Sequence, residues 1–119
     1  PSFGSKTKIE LRSKSFRTPG ALHKAGVPVS VITDAPVIPL QYLPMCAGLA
    51  VNGGLEYEEG WRAITINPAR ATGIADRVGS LEAGKDGDVV IWTADPLCTV
   101  GAESWVTVVD GKIVYQADV

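Results

Sequence analysis

Between Gly26 and Asp34 the chain runs Val27-Pro28-Val29-Ser30-Val31-Ile32-Thr33, β-branched and nearly continuous in apolar character. Such a run fits a strand of a parallel sheet covered on both faces better than an edge of an antiparallel one. No other feature limits the fold as much, because a strand of this kind needs neighbours. A short helix is expected just before it. Thr18 suits the N-cap, Pro19 the first helical position, and Gly26 the left-handed stop. Helix, tight turn, buried strand and acidic residue make the second half of a βαβ unit. In open α/β sheets and α/β barrels the carboxyl ends of the strands face the ligand. Asp34 therefore stands where chemistry is expected. A carboxylate there serves either as a helix cap or as a metal-bridging general base.

The remaining segments fit around this unit. Residues 1–17 are polar and basic, with a short alternation at Ile9 and Leu11 that reads as a strand end followed by a loop. Residues 39–52 predict a helix with Leu43, Ala47 and Ala50 on one face, Pro44 in its first turn and Gly53-Gly54 at its end. Residues 56–66 predict another, with acids in the first turn as the helix dipole prefers. Asn67-Pro68 reads as the cap and first position of a third, ending near Thr72. Beyond residue 75 the pattern turns to strands: Val78–Leu81, Asp88–Trp92, and two runs around Asp110-Gly111, a strong hairpin signal. The chain thus divides into an α/β part, 1–77, and an all-β part, 78–119.

Composition removes several classes. The 119 residues are one domain's worth, and the formal net charge of −2 gives no basic field for nucleic acid or an acidic membrane. No apolar run approaches the roughly 20 residues of a membrane span, and no signal peptide is recognisable. Two distant cysteines, Cys46 and Cys98, suit a reducing compartment, so a cytoplasmic protein is expected. The chain begins at Pro1 and its one methionine is Met45, a hint of truncation.

Three chemical motifs weaken on inspection. Gly79-Ser80-Leu81-Glu82-Ala83-Gly84-Lys85 satisfies the phosphate-loop spacing, but Asp86 replaces the magnesium-binding hydroxyl and a β-branched run replaces the helix. A plain turn is the better reading. Cys46 and His23 are a conceivable nucleophile pair, yet Cys46 sits in an apolar helical stripe and reads as core. His23 reads as a solvated surface residue. With one histidine, the chain cannot assemble a histidine-rich metal site from its own residues.

Three stretches together resemble a known family. They are Thr33-Asp34-Ala35-Pro36 followed by a helix, Ile64-Thr65-Ile66-Asn67-Pro68-Ala69, and the run from Val78 to Trp92. They are similar to the C-terminal end of metal-dependent amidohydrolases, particularly imidazolonepropionase-like and prolidase-like members. Val109–Tyr115 resembles the closing hairpin of that family. Gly87 departs from the alanine usual there. The resemblance implies a (β/α)8 TIM barrel with a small composite β-sandwich. Residues 27–34 would be the eighth barrel strand, 1–77 the last β/α units, and 78–119 the C-terminal strands of the sandwich. It implies Asp34 as catalytic residue and metal ligand, taking a proton from water bound to a divalent metal, with zinc the expected ion. The substrate would be a small-molecule amide, often cyclic. The other metal ligands would come from a missing N-terminal part of the barrel, so the start at Pro1 reads as a cut. Gly4–Lys8 either lines the substrate mouth or is a solvated loop, the latter favoured. This chain alone is expected to be inactive, to hold no metal and to self-associate; its parent is expected to be bacterial. A second reading is a free-standing, non-enzymatic α/β module for protein interaction or oligomerisation, with Trp92 and Trp105 as anchors. Core packing is the favoured use of both tryptophans.

Overall fold

The computed structural model describes residues 9–118. The helical part holds α1 (Thr18–Lys24), α2 (Leu43–Asn52), α3 (Tyr57–Arg62) and α4 (Ile66–Ala71). A sheet of β1 (Val89–Trp92), β2 (Ser104–Val109) and β3 (Lys112–Gln116) follows.

Helix α1 forms where expected, with Pro19 in its first turn. Its N-cap is Arg17 rather than Thr18, because Ser15 takes both leading amides: its Oγ accepts from Arg17 N–H and its carbonyl from Thr18 N–H. At the other end Gly26 adopts φ +79°, and the Val27 N–H returns to Leu22 O. This is the left-handed stop that the sequence predicts.

Small side chains let α2 and α3 approach closely. Ala47, Ala50 and Ala63 are buried, and Gly60 sits against Val51 of α2. Ala50, Leu55 and Ala63 form a compact cluster with Val31 packed on it. Gly48 faces the loop between β1 and β2. A Cβ there would stand 2.8 Å from the Leu97 carbonyl carbon and closer still to its oxygen. Glycine at this position is what allows helix and loop to touch backbone to backbone.

Segment 27–33 departs from expectation. It is extended, but no described strand pairs with it. Its inward residues follow a period of two: Val29 and Thr33 are buried and Val31 half-buried, while Ser30 and Ile32 face outward. Ile32 is 67% exposed. The helices thus cover one face of this run and supply its hydrogen bonds. Val31 N–H donates to Ala63 O at 2.9 Å, and Asn67 Nδ2 donates to Val29 O at 2.9 Å. A parallel ladder needs adjacent strands, and the described residues contain none beside it.

The Val31–Ala63 bond also explains why α3 stops at Arg62 instead of continuing to residue 66. The Ala63 carbonyl is turned towards Val31 and is not used to continue the helix. Thr65 Oγ1 donates to Trp61 O at 2.8 Å, satisfying a terminal carbonyl, and α4 begins afresh at Ile66. Asn67 therefore lies inside α4 rather than capping it.

Val78–Leu81 forms no strand either, with Gly79 at φ +94° beside Ala69. Ile9–Leu11 is a 3-10 turn. The sheet itself follows prediction. Its order is β1-β2-β3, antiparallel throughout, with Val89 opposite Val108 and Val109 opposite Lys112. Asp110 and Gly111 both take positive φ, 50° and 73°, as a two-residue type I′ turn requires. The Asp110 and Gly111 amides donate to Asp88 Oδ1 and Gly87 O, tying the hairpin tip to the approach of β1. A Cβ on residue 87 would lie 3.0 Å from Gly111 N, so glycine here permits that approach. Every residue of β3 is exposed, Ile113 at 63%. The radius of gyration, 15.2 Å, exceeds the about 13.5 Å of a compact domain of this length.

Candidate functional site

Asp34 stands at the carboxyl end of the extended segment. Buried Thr33 precedes it and buried Ile38 follows, so the turn between them is pinned on both sides. Asp34 itself adopts φ 55°, a left-handed conformation that Asp tolerates better than most residues. Its carbonyl accepts from Val37 N–H at 2.9 Å. Its side chain is exposed and meets no partner among the described residues. It caps no helix, since the next turn, Leu40–Tyr42, has Pro39 at its N-cap. A carboxylate without a partner among the described residues can accept a proton or bind a cation.

The described residues hold no group of three His, Cys, Asp or Glu side chains suited to a metal ion. A full donor set is therefore not present among them.

The other candidates do not converge on it. Cys46 is buried in α2, 1% exposed, and burial pushes its thiol up from the ordinary value, which suits core packing. His23 is not simply solvated, as the sequence suggested. It is half-buried, and its Nδ1 lies 3.7 Å from Glu59 Oε2. In the 79–85 stretch, Lys85 Nζ donates to Ser80 Oγ at 2.6 Å, and Ser80 donates to Glu82 at 2.8 Å. The lysine of the apparent phosphate loop is thus held within its own turn, and no helix follows it. Trp92 is half-buried, but Trp105 is 44% exposed, against the core reading for that residue. Gly4–Lys8 lies outside the described residues.

Two networks that sequence reading did not find organise the helical part. Glu59 accepts from Arg62 Nη1 at 2.7 Å and faces His23. The Arg62 guanidinium holds the Glu59 carboxyl below its usual range, against the effect of partial burial, and His23 adds to this. The second network spans α3 and the β1–β2 loop. Trp61 Nε1 donates to Tyr57 Oη at 3.0 Å, and Tyr57 Oη donates to Asp95 Oδ2 at 2.9 Å. Cys98 Sγ is 3.1 Å from the same oxygen. The thiol and the Leu97 amide hold Asp95 below its usual value, while Asp95 pushes the Cys98 thiol up. Both networks join residues far apart in sequence, which no local pattern reveals.

A cleft of about 950 Å³, lined by His23, Val27, Glu59, Arg62 and Asn67, opens at the other end of the extended segment. Seven residues at roughly 3.3 Å each separate Val27 from Asp34, about 23 Å. The cleft is at the amino end of the run, away from the side where ligands bind in α/β folds, so we place the candidate site at Asp34.

Comparison with known proteins follows the same lines. An amidohydrolase from Hapsidospora irregularis, tasK, is 34% identical over 102 residues, covering 83% of this chain and 10% of its own. Imidazolonepropionase from Acidiphilium cryptum is 37% identical over 99 residues, covering 81% and 24%. The crystal structure of an amidohydrolase from Thermotoga maritima superposes with a TM-score of 0.87 at 35% identity, over 94% of this chain and 29% of that one. The chain thus spans about a tenth to a quarter of the length of these curated relatives. The sequence profile of the Amidohydrolase family matches residues 5–116, nearly end to end, and the chain belongs to that family.

Proposed function

We propose that this chain is the C-terminal portion of a metal-dependent hydrolase of C–N bonds in amides, cyclic amides included. Asp34 is its one contribution to the metal and proton chemistry. The observation that carries this reading is the exposed carboxylate of Asp34, without a partner among the described residues, between buried Thr33 and Ile38 at the carboxyl end of the extended segment. Family membership supplies the context. In this reading residues 27–34 form the eighth strand of a TIM barrel, and the open face bearing Ile32 is covered by the rest of it. Residues 1–77 form the last barrel units and 78–119 a share of a small β-sandwich.

A bound divalent metal, zinc in this proposal, lowers the pKa of a water ligand towards about 7. Asp34 would help hold that ion, and its carboxylate would accept the proton of the attacking water and pass it to the departing nitrogen. The exposed Asp34 carboxylate, without a partner among the described residues, supports this reading. In this reading the remaining ligands come from the rest of the barrel.

Asp34→Asn in the full-length enzyme is expected to abolish turnover of a panel of cyclic amides while leaving the circular dichroism spectrum unchanged. Near-normal turnover in that variant would overturn the assignment.

A further inference from the structure

Asn67 reads in the sequence as a helix cap, yet it lies one residue inside α4 and caps nothing. Its side chain reaches 38 residues back, where Nδ2 donates to Val29 O at 2.9 Å in a partly buried setting. One residue-pair further along, Val31 N–H donates to Ala63 O at 2.9 Å. These bonds attach segment 27–33 to the helical layer. Val29, Val31 and Thr33 point into that layer, so a slip of one residue would turn them outward and move Asp34 with them.

We propose that Asn67 is a positioning residue for Asp34, acting through the Val29 carbonyl to set the register of the segment that ends at the carboxylate. The inference rests on the reading of Asp34 given above. Asparagine suits the task because its amide offers two N–H groups. One goes to Val29, and the side chain adds the smallest of the effects that lower the Glu59 carboxyl, after those of Arg62 and His23. An aspartate of the same shape would present an acceptor to a carbonyl and to a carboxylate. An alanine would leave the Val29 carbonyl without this partner.

Hydrogen–deuterium exchange in the full-length enzyme tests this without a substrate. In Asn67→Ala and Asn67→Asp, peptides covering 27–34 are expected to exchange about tenfold faster than in the wild type. Peptides covering 43–55 should be unchanged. Equal acceleration of both regions, no acceleration of 27–34, or failure of both variants to fold would each overturn the proposal. The first and last would make Asn67 a general structural residue. Asp34→Asn serves as the independent arm. Its turnover judges Asp34 alone, whatever the Asn67 variants show.

Discussion

Gly48→Ala isolates the contact between the helices and the sheet. On an exposed helix the change would stabilise, since alanine is favoured over glycine by about 1 kcal/mol. Here the new Cβ would stand 2.8 Å from the Leu97 carbonyl carbon and nearer to its oxygen. The obstructing atoms are backbone, so no rotamer change relieves the clash. Overpacking of a tight interior costs about 1–3 kcal/mol, and a backbone obstacle puts this case at the upper end. Subtracting the helix gain leaves a net loss of about 1–2 kcal/mol. For a domain near 100 residues that lowers the thermal midpoint by about 5–15 °C. Asn52→Ala, on the exposed end of the same helix, provides the control. It carries the propensity gain without the clash and should raise the midpoint slightly. Thermal unfolding followed by circular dichroism measures both. A Gly48→Ala protein as stable as the wild type would refute the argument, because the close approach of α2 to the Leu97 loop would then not be real.

Three further outcomes are expected. Arg62 holds the Glu59 carboxyl below its ordinary value, so its contribution to stability is present above the unfolded-state pKa and disappears as pH falls through the folded one. Glu59→Gln should therefore cost about 1 kcal/mol at neutral pH and flatten the acid limb of the stability profile below about pH 4.5, measured by denaturant titration at several pH values. The Cys98 thiol is raised by Asp95, so its thiolate forms only at higher pH than usual. Asp95→Asn should speed its alkylation by iodoacetamide several-fold at pH 8, and an unchanged rate would count against the contact. The isolated 119-residue chain, with β3 and Ile32 open, should self-associate on gel filtration.

Elements that rest on local signals were legible in the sequence. Pro19 and Gly26 bracket α1, and Asp110-Gly111 turns the hairpin, because each residue type answers a backbone requirement at its own position. The end of α3 and the start of α4 were not legible. They are decided by Ala63 turning its carbonyl to Val31 and by Asn67 reaching Val29, contacts that bridge more than thirty residues. The run 27–33 was expected as a strand covered on both faces; it is extended, but only one of its faces finds cover among the described residues. Asp34 is proposed from its place at the end of that run. His23 was misjudged because nothing near it in sequence points to Glu59. Cys46 was placed in the core correctly, since its helical stripe alone marks that face.

The meeting of Gly48 with Leu97 has a mechanical consequence. Most junctions between a helical layer and a sheet are cushioned by side chains, whose rotamers can shift as temperature or load changes. Here main chain rests on main chain, with only a glycine hydrogen between them. Such a joint has little give. The helices and the β1–β2 loop should move as one stiff piece, so that a tilt of the sheet is carried into α2 rather than absorbed at the seam.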